Sequence, residues 1–332
     1  ISGTDEYLDL SKTILVIEGT VTRGNGDAIT GDVAPVNNFL HSLIRQVDVY
    51  LNGKQVTPAM GTYAYRAYLE TLLNYDVSAK KSQLTSALYF KDTPGEMDKN
   101  GTLPKTEKVG VYTVNNAGAT DIKTTRTVTI PGTGNQGFAE RQKYILGKKK
   151  FSLSGPIFSD VFMCDRLLLN GMELKVVLNR SSNAFCIHDK RGVNADAKVT
   201  LSDVILKIRK VKVDEVVSAA NELALKQTPA IYPIHRVECK ALTIPADLPN
   251  IRKDNIFAGL IPKTFVFGLV KAGTYNGTYG ENPYNFDDHS VKTVTLTVNG
   301  EEVPFKQLVL DYTGTTTENF IQAYNTLFSG TG

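Results

Sequence analysis

The chain has 332 residues, and its 37 Lys and Arg against 34 Asp and Glu leave a formal net charge of +3. Hydrophobic residues make up 42% and charged residues 21% of the chain, which is typical of globular domains and excludes a strongly basic nucleic-acid wrapper or an acidic disordered protein. No run approaches the roughly 18–20 consecutive apolar residues of a transmembrane helix, so no membrane span is predicted. At about 100–200 residues per domain, the length indicates two domains.

The first predicted elements are strands joined by a tight turn. Thr13–Val21 is rich in β-branched residues, and Gln46–Leu51 alternates apolar with polar residues before Asn52-Gly53. Because Asn-Gly tolerates the positive φ values of a two-residue hairpin turn, Lys54–Val56 is predicted to return as the second strand. Helical spacing of apolar residues then predicts a helix over Tyr63–Tyr75. Its expected apolar face consists of Tyr65, Tyr68, Leu69, Leu72 and Leu73.

Residues 91–142 differ in character, since they are dense in Gly, Thr, Asn and Lys and are predicted to form one long excursion with a small hairpin. Within them, Gly132–Gly137 matches the GxGxxG pattern of dinucleotide-binding loops. That function needs a parallel βαβ unit and an acidic residue about twenty positions later, where Ser154-Gly155-Pro156 follows instead. A flexible Gly-rich loop is therefore the better interpretation.

Three further elements are predicted before residue 230. Leu167–Leu178 contains Asn170-Gly171 and is expected to form a second hairpin, and Val216–Lys226 is expected to form a helix that ends before Pro229. Lys207–Val213 is a basic strand. Basic residues commonly protect exposed strand edges, and the alternative is a surface that faces nucleic acid through phosphate contacts.

The order strand, Asn-Gly turn, strand and helix occurs twice. Val294–Val303 carries Asn299-Gly300 and precedes an apolar helical pattern over Thr317–Phe328, as Val47–Gly53 precedes the helix that contains Ala67–Leu73. The two copies lie about 250 residues apart, which favours two copies of one domain over a solenoid. Chance similarity of short β motifs is the alternative.

Residues for catalysis or metal binding are scarce in the sequence. Cys164, Cys186 and Cys239 form no CxxC pair, so free buried thiols are expected, and there is no HExxH, Walker A or GxSxG pattern. Asp287-Asp288-His289 has cation-binding side chains but is more typical of a solvated turn. We therefore expect no enzymatic activity, no cofactor and no metal.

The N-terminal third resembles the hexon-like double jelly-roll major capsid proteins of Polinton/Maverick elements and adintoviruses. The resemblance is specific to about residue 100 and looser beyond it. The segments that carry it are Tyr7–Thr13, Val36–Leu43, Val47–Gly53, Tyr63–Glu70, Leu72–Tyr75, Lys80–Leu84 and Lys91–Thr93.

The resemblance and the order of elements together imply an all-β fold of two tandem jelly-roll domains with short flanking helices. The first domain is expected at residues 1–215 with the insertion at 91–142, and the second at 216–332. Because the second copy of the helix lies almost at the end of the sequence, the second jelly roll is expected to be incomplete and to lack its C-terminal strands.

The resemblance further implies a structural virion protein. Such subunits form homotrimers that act as pseudo-hexagonal capsomers and tile an icosahedral shell, so the expected location is the virion capsid, assembled inside the host cell. Expected partners are other copies of the chain, penton and minor capsid proteins, and packaged DNA contacted without sequence specificity. The candidate inter-subunit residues are Tyr275, Tyr279 and Tyr284, and the candidate DNA-facing residues are Lys207, Arg209, Lys210 and Lys212.

Two alternatives remain from the sequence. One is a receptor- or glycan-binding jelly roll of the spike or lectin kind. The other is a cupin-like enzyme, which would need convergent His and Glu ligands inside one barrel, and the sequence supplies no such set.

Overall fold

The computed structural model describes residues 6–114, 120–246, 248–257, 259–312 and 320–331. These residues form antiparallel sheets with short helices, as predicted. The strands are β1 (Tyr7–Thr22), β2 (Val33–Pro35), β3 (Ile44–Leu51), β4 (Lys54–Gln55), β5 (Lys105–Val114), β6 (Thr120–Ile130), β7 (Lys150–Gly155), β8 (Leu174–Arg180), β9 (Ile187–Asp189), β10 (Lys198–Val211), β11 (Thr293–Val298) and β12 (Glu301–Val309). The α-helices are α1 (Phe39–Ser42), α2 (Tyr63–Asn74), α3 (Val77–Lys81), α4 (Gln136–Gln142), α5 (Asn183–Cys186), α6 (Glu215–Gln227), α7 (Ala272–Asn276) and α8 (Ile321–Thr331).

Strand pairing in the first 211 residues is nested. β1 pairs with β10, β2 with β9 and β3 with β8, all antiparallel, so the two halves of this region form one long ribbon. β7 joins the other edge of β1, and β4 joins the other edge of β3. The ribbon thus passes from a β10-β1-β7 sheet through the short β2-β9 pair into a β4-β3-β8 sheet.

The main hydrophobic core lies inside this ribbon, and its buried members extend from Leu8 to Val199. Alternation along β1 explains which face is buried: Leu15, Ile17 and Val21 are at most 2% exposed, whereas Val16 and Thr20 on the other face are partly exposed. Each such side chain contributes about 1.5–3 kcal/mol when it leaves water.

Two of the three predicted Asn-Gly hairpin turns have the same backbone conformation. Asn52 and Gly53 have φ values of 47° and 76°, and Asn299 and Gly300 have values of 52° and 92°. Positive φ at both positions is the type I′ geometry that matches the twist of a two-stranded hairpin. The first turn joins β3 to β4 ahead of α2, and the second joins β11 to β12 ahead of α8, so the predicted repeat of local structure is confirmed.

The hairpin predicted over residues 167–178 is wrong. Leu168 instead forms a bridge with Leu8, and β8 pairs with β3 along its whole length. Asn170-Gly171 does turn the chain, with positive φ at Gly171 alone, but the turn carries the chain from one sheet to the other. Pairing with a strand more than 120 residues away has therefore overridden the local turn signal.

The predicted helices are confirmed, with differences in detail. In α2 the predicted Tyr65 and Tyr68 are buried, but Leu72 is 40% exposed. α6 agrees with its prediction, and α8 covers most of the last predicted helix, although the proposed cap at Thr317 lies outside the described residues. The buried face of α2 consists of Tyr63, Ala64, Tyr65, Ala67, Tyr68 and Thr71.

The insertion at 91–142 contains the predicted hairpin, formed by β5 and β6. Its glycine motif is closely packed rather than flexible, which corrects the sequence interpretation. A side chain at Gly132 would collide with the carbonyl oxygen of Thr102, and one at Gly134 with that of Asn100. The motif thus closes the base of the insertion against residues 100–102, and its last two residues, Gln136 and Gly137, begin α4.

Candidate assembly surface

Residues 228–271 form a linking segment without helix or strand in its described part. Its first third is tied to residues 6–211, which contain the nested strand pairs and which we call the first domain for brevity. Arg66 of α2 donates from Nη1 to the carbonyl oxygen of Val237 at 3.2 Å and from Nη2 to Asp160 Oδ1 at 2.6 Å. The same Asp160 oxygen accepts the Val237 N–H at 3.3 Å, and the Thr62 hydroxyl donates to the Cys239 carbonyl. The buried Arg66–Asp160 ion pair therefore holds the linking segment through the backbone of Val237.

The predicted contact residue Tyr284 is not exposed, which corrects the expectation that it faces another subunit. It is 1% exposed, and its ring stacks on Tyr68 with centroids 4.0 Å apart and planes within 3°. Tyr65 and Phe185 meet it edge-on at 5.8 and 6.3 Å, and its hydroxyl lies 3.4 Å from the Ala64 carbonyl oxygen. Burial raises the pKa of the Tyr284 phenol well above its ordinary value.

The other two candidate tyrosines are partly buried within the same chain. Tyr275 stacks on Tyr65 at 5.6 Å, and the Tyr279 hydroxyl donates to the Ala197 carbonyl at 2.7 Å. The backbone N–H of Asp189 donates to the Tyr279 carbonyl, also at 2.7 Å. Residues 272–286, hereafter the docked loop, are therefore held on the first domain by all three tyrosines.

A buried polar network fastens the insertion base to the first domain. Arg141 is fully buried and donates to the carbonyl oxygens of Pro35 and Phe90 at 2.8 and 2.9 Å and to Asp92 Oδ1 at 2.7 Å. Asp92 also accepts from the side-chain amides of Asn135 and Asn282 at 2.9 and 3.4 Å. Because every guanidinium nitrogen has a partner, the buried charge is compensated.

Two asparagines of the docked loop also bind Asp98, near the start of the insertion. The Asn282 backbone N–H donates to Asp98 Oδ1 at 2.7 Å, and Asn285 Nδ2 donates to Asp98 Oδ2 at 2.7 Å. The loop therefore closes over both the aromatic cluster around Tyr284 and the start of the insertion.

Two histidines are buried as neutral groups. The Tyr63 hydroxyl accepts the Phe158 N–H at 3.3 Å and shares a hydrogen bond with His41 Nδ1 at 3.0 Å, while His188 Nε2 donates to the Gly280 carbonyl at 3.2 Å. Burial lowers the pKa of His41 to about 3 and that of His188 to about 4.

We expect acidification to destabilise the folded chain through these histidines. Their ordinary pKa is 6.5, so below that pH the unfolded chain binds protons that the folded chain does not, and stability falls as the pH drops towards 4. Each histidine is expected to cost about 2 kcal/mol at pH 5. Urea denaturation of the His188→Gln variant should show a shallower pH dependence than the parent, whereas exposed His235→Gln should not. An unfolding free energy that is constant from pH 7 to pH 5 would contradict this role.

Many large apolar side chains C-terminal to β10 are exposed. α6 and α8 have no buried residues in the part of the chain that the structure describes, and Val216 and Ile321 are 77% and 64% exposed. We call the exposed apolar residues of this region the C-terminal apolar surface. Its members are Val216, Val217, Leu223, Leu225, Ile231, Ile234, Val237, Leu242, Ile244, Leu248, Ile251, Leu260, Ile261, Phe267, Val303, Val309, Tyr312, Phe320, Ile321, Tyr324, Leu327 and Phe328.

The candidate basic residues lie at the end of β10, which is the outer strand of its sheet among the described residues. Lys207, Arg209, Lys210 and Lys212 are all exposed. Lys210 forms an ion pair with Glu6 at 3.1 Å. Both interpretations of this strand, edge protection and phosphate contact, are compatible with that exposure.

The described residues lack the side-chain clusters of a metal site and the helices of a membrane span. They contain no group of three or more His, Cys, Asp or Glu side chains arranged to hold a metal ion. No helix within them is both long and apolar enough to cross a membrane.

Comparison with known proteins gives one distant similarity. No family model matches the chain, and no solved structure matches it. The uncharacterized protein F54H12.2 of Caenorhabditis elegans is 24% identical over 333 residues, a match that covers 97% of this chain and 70% of that protein. The similarity thus includes the first domain, the linking segment and the region of the C-terminal apolar surface.

Proposed function

We propose that the chain is a structural subunit of a viral capsid, built from two tandem jelly rolls, that trimerises into pseudo-hexagonal capsomers and tiles an icosahedral shell. The observation that carries this proposal is the repeated unit of strand, type I′ Asn-Gly turn, strand and helix, at β3-β4-α2 and again at β11-β12-α8. Two copies of one domain in each of three subunits would supply six similar positions in a capsomer.

The nested strand pairing supports a jelly roll for the first domain. A jelly roll is an antiparallel ribbon that bends over itself so that its two halves become two facing sheets. Nested β1-β10, β2-β9 and β3-β8 pairs around one core have the order that such a ribbon requires.

The C-terminal apolar surface supports assembly. An isolated two-stranded hairpin is at best marginally stable in water, and β11 and β12 pair only with each other among the described strands. Exposed apolar side chains on both α6 and α8, neither of which has a buried residue among the described ones, favour a protein partner that covers these helices. The proposed partners are other copies of the chain, with penton and minor capsid proteins at neighbouring positions, in a virion assembled inside the host cell.

Light scattering and electron microscopy of the purified full-length protein test this function. We expect a trimer, and hexagonal capsomers or closed shells in micrographs. The Tyr324→Ser and Phe328→Ser variant should weaken self-association, while Gln322→Ser on the same helix serves as the matched control. A strictly monomeric protein at every concentration and salt would count against the capsid proposal, and glycan binding by that monomer would favour the receptor-binding alternative.

Contact with packaged DNA is a separate expectation for the basic strand. We assume that Lys207, Arg209 and Lys212 each neutralise one phosphate. Replacing them by Gln should then reduce the slope of log K against log[salt] for duplex DNA by up to about 0.9 per lost contact. A charge-matched variant with Lys54, Lys105 and Lys143 changed to Gln is the control. Equal salt slopes in the two variants would leave edge protection as the role of the strand.

A further inference from the structure

His188 on β9 connects the first domain to the docked loop through a buried imidazole. The side chain is 1% exposed, and its Nε2 donates to the carbonyl oxygen of Gly280 in the docked loop at 3.2 Å. Phe138 of α4 meets the ring edge-on at 5.4 Å, and Ala34 of β2 is the strand partner of His188. The imidazole is therefore enclosed by β2, α4 and the docked loop.

The second ring nitrogen of His188 is buried without a hydrogen-bond partner among the described residues. Because Nε2 carries the hydrogen that the loop carbonyl accepts, Nδ1 of the neutral ring presents a lone pair. Protonation would place an N–H at Nδ1, and a buried donor without an acceptor is unfavourable. The docked arrangement therefore accommodates the neutral imidazole better than the imidazolium.

The loop carbonyl that binds His188 is shared with a second cationic side chain. Lys190 Nζ donates to the same oxygen of Gly280 at 2.8 Å. A protonated His188 would thus place two positive charges at one backbone oxygen of the docked loop. The repulsion between them is relieved when the loop leaves.

The other charged groups that face the ring come from α4 and from the insertion. Burial lowers the pKa of His188 to about 4, and the positive charges of Lys190 and Arg141 act in the same direction. The hydrogen bond to the loop and the carboxylate of Asp98 act in the opposite direction but do not offset the burial. β2 contributes no titratable side chain, and Asp189 beside His188 is engaged in an ion pair of its own.

We propose that the docked loop is a pH-controlled latch, in which protonation of His188 favours release of residues 272–286 from the first domain. Release would uncover the ring of Tyr68, on which Tyr284 is stacked. It would also remove the two asparagine contacts to Asp98 and so loosen the insertion base. The proposal stands independently of the capsid function, since it depends only on contacts within one chain.

The expected response follows from the protonation of His188 in the two arrangements. Once released, the ring should regain the ordinary pKa of 6.5, whereas the docked ring has a pKa of about 4. The docked loop therefore binds fewer protons than the released loop between these values, and it loses stability as the pH falls. From pH 7 to pH 5 the released fraction should rise about twentyfold.

Hydrogen exchange of the full chain at pH 7 and pH 5 tests the latch, with protection factors that remove the intrinsic pH dependence of exchange. We expect residues 272–286 to be less protected than β1 at both pH values and to lose protection about twentyfold at pH 5. His188→Gln retains an N–H donor for Gly280 but does not titrate, so its loop should change less than twofold. His41→Gln, a buried histidine that does not contact the loop, and exposed His235→Gln should respond as the parent does.

Three results of that experiment would overturn the proposal. They are equal loop protection at pH 7 and pH 5 in the parent, an undiminished pH response in His188→Gln, and loop protection equal to that of β1, which would mean that the loop opens only when the whole chain unfolds.

A second measurement needs no change at His188. Slow deuterium exchange at the imidazole Cε1, followed by mass spectrometry, gives the pKa of each histidine. We expect His188 to titrate near pH 4 in the parent and near its ordinary 6.5 in Tyr284→Ala, because linkage requires that loss of loop docking and protonation favour each other equally. The same pKa in both proteins would show that the loop does not control the ring and would also overturn the proposal.

Discussion

Replacement of Arg141 by Met is expected to lower the free energy of unfolding by about 3–5 kcal/mol. The substitution retains an unbranched apolar stem but removes the partner of Asp92, whose carboxylate is only 2% exposed. It also leaves the carbonyl oxygens of Pro35 and Phe90 without their guanidinium donors. Urea denaturation of the full chain, followed by circular dichroism, measures the loss.

Two further variants show whether the stability loss comes from the Arg141–Asp92 network or from introducing a methionine. Lys143→Met changes an exposed lysine just after α4 and should alter stability by no more than about 0.5 kcal/mol. Asp92→Asn in the Arg141→Met background should recover part of the loss, because the unpaired charge is then removed. A loss below about 1 kcal/mol in Arg141→Met would mean that water reaches Asp92 and that the network does not fasten the insertion.

Local signals explain which parts of the fold were predictable. Asn52-Gly53 and Asn299-Gly300 form the expected turns because two residues with positive φ determine a hairpin without help from distant parts of the chain. The same dipeptide at Asn170-Gly171 misled the prediction, since β8 gains more by pairing with β3, more than 120 residues earlier. The nested ribbon consists entirely of such long-range choices, and a sequence pattern does not contain them.

The candidate site was less predictable than the fold. Arg141 stands in a polar run, and its burial depends on acceptors that lie 49 to 106 residues away. The docked loop is rich in Gly and Asn, a composition typical of exposed loops, yet Tyr284 is buried because Tyr68 presents a parallel ring 216 residues earlier. The one available signal was the density of tyrosines in both α2 and the loop, which indicates stacking only when the two are known to meet.

Truncation of Tyr284 to Ala is expected to cost about 3–5 kcal/mol, the usual range when a buried aromatic side chain is lost. The change removes the ring that stacks on Tyr68 and supports Tyr65 and Phe185. The docked loop should then separate from the first domain, so hydrogen exchange should accelerate across residues 272–286 while β1 and β10 remain protected.

Tyr284→Phe is the matched control, because it retains the stacked ring and loses only a long hydrogen bond to the Ala64 carbonyl at 3.4 Å. It should cost no more than about 0.5–1.5 kcal/mol. Comparison of Tyr284→Ala with Tyr284→Phe also distinguishes packing within the chain from the inter-subunit contact that the sequence predicted for Tyr284. In a subunit contact, Tyr284→Ala would lower the assembled mass in light scattering while the unfolding free energy of the monomer and the exchange of the docked loop stayed unchanged. Because the ring is 1% exposed between the docked loop and α2, we expect the stability loss to come first and any change in assembly to follow from it.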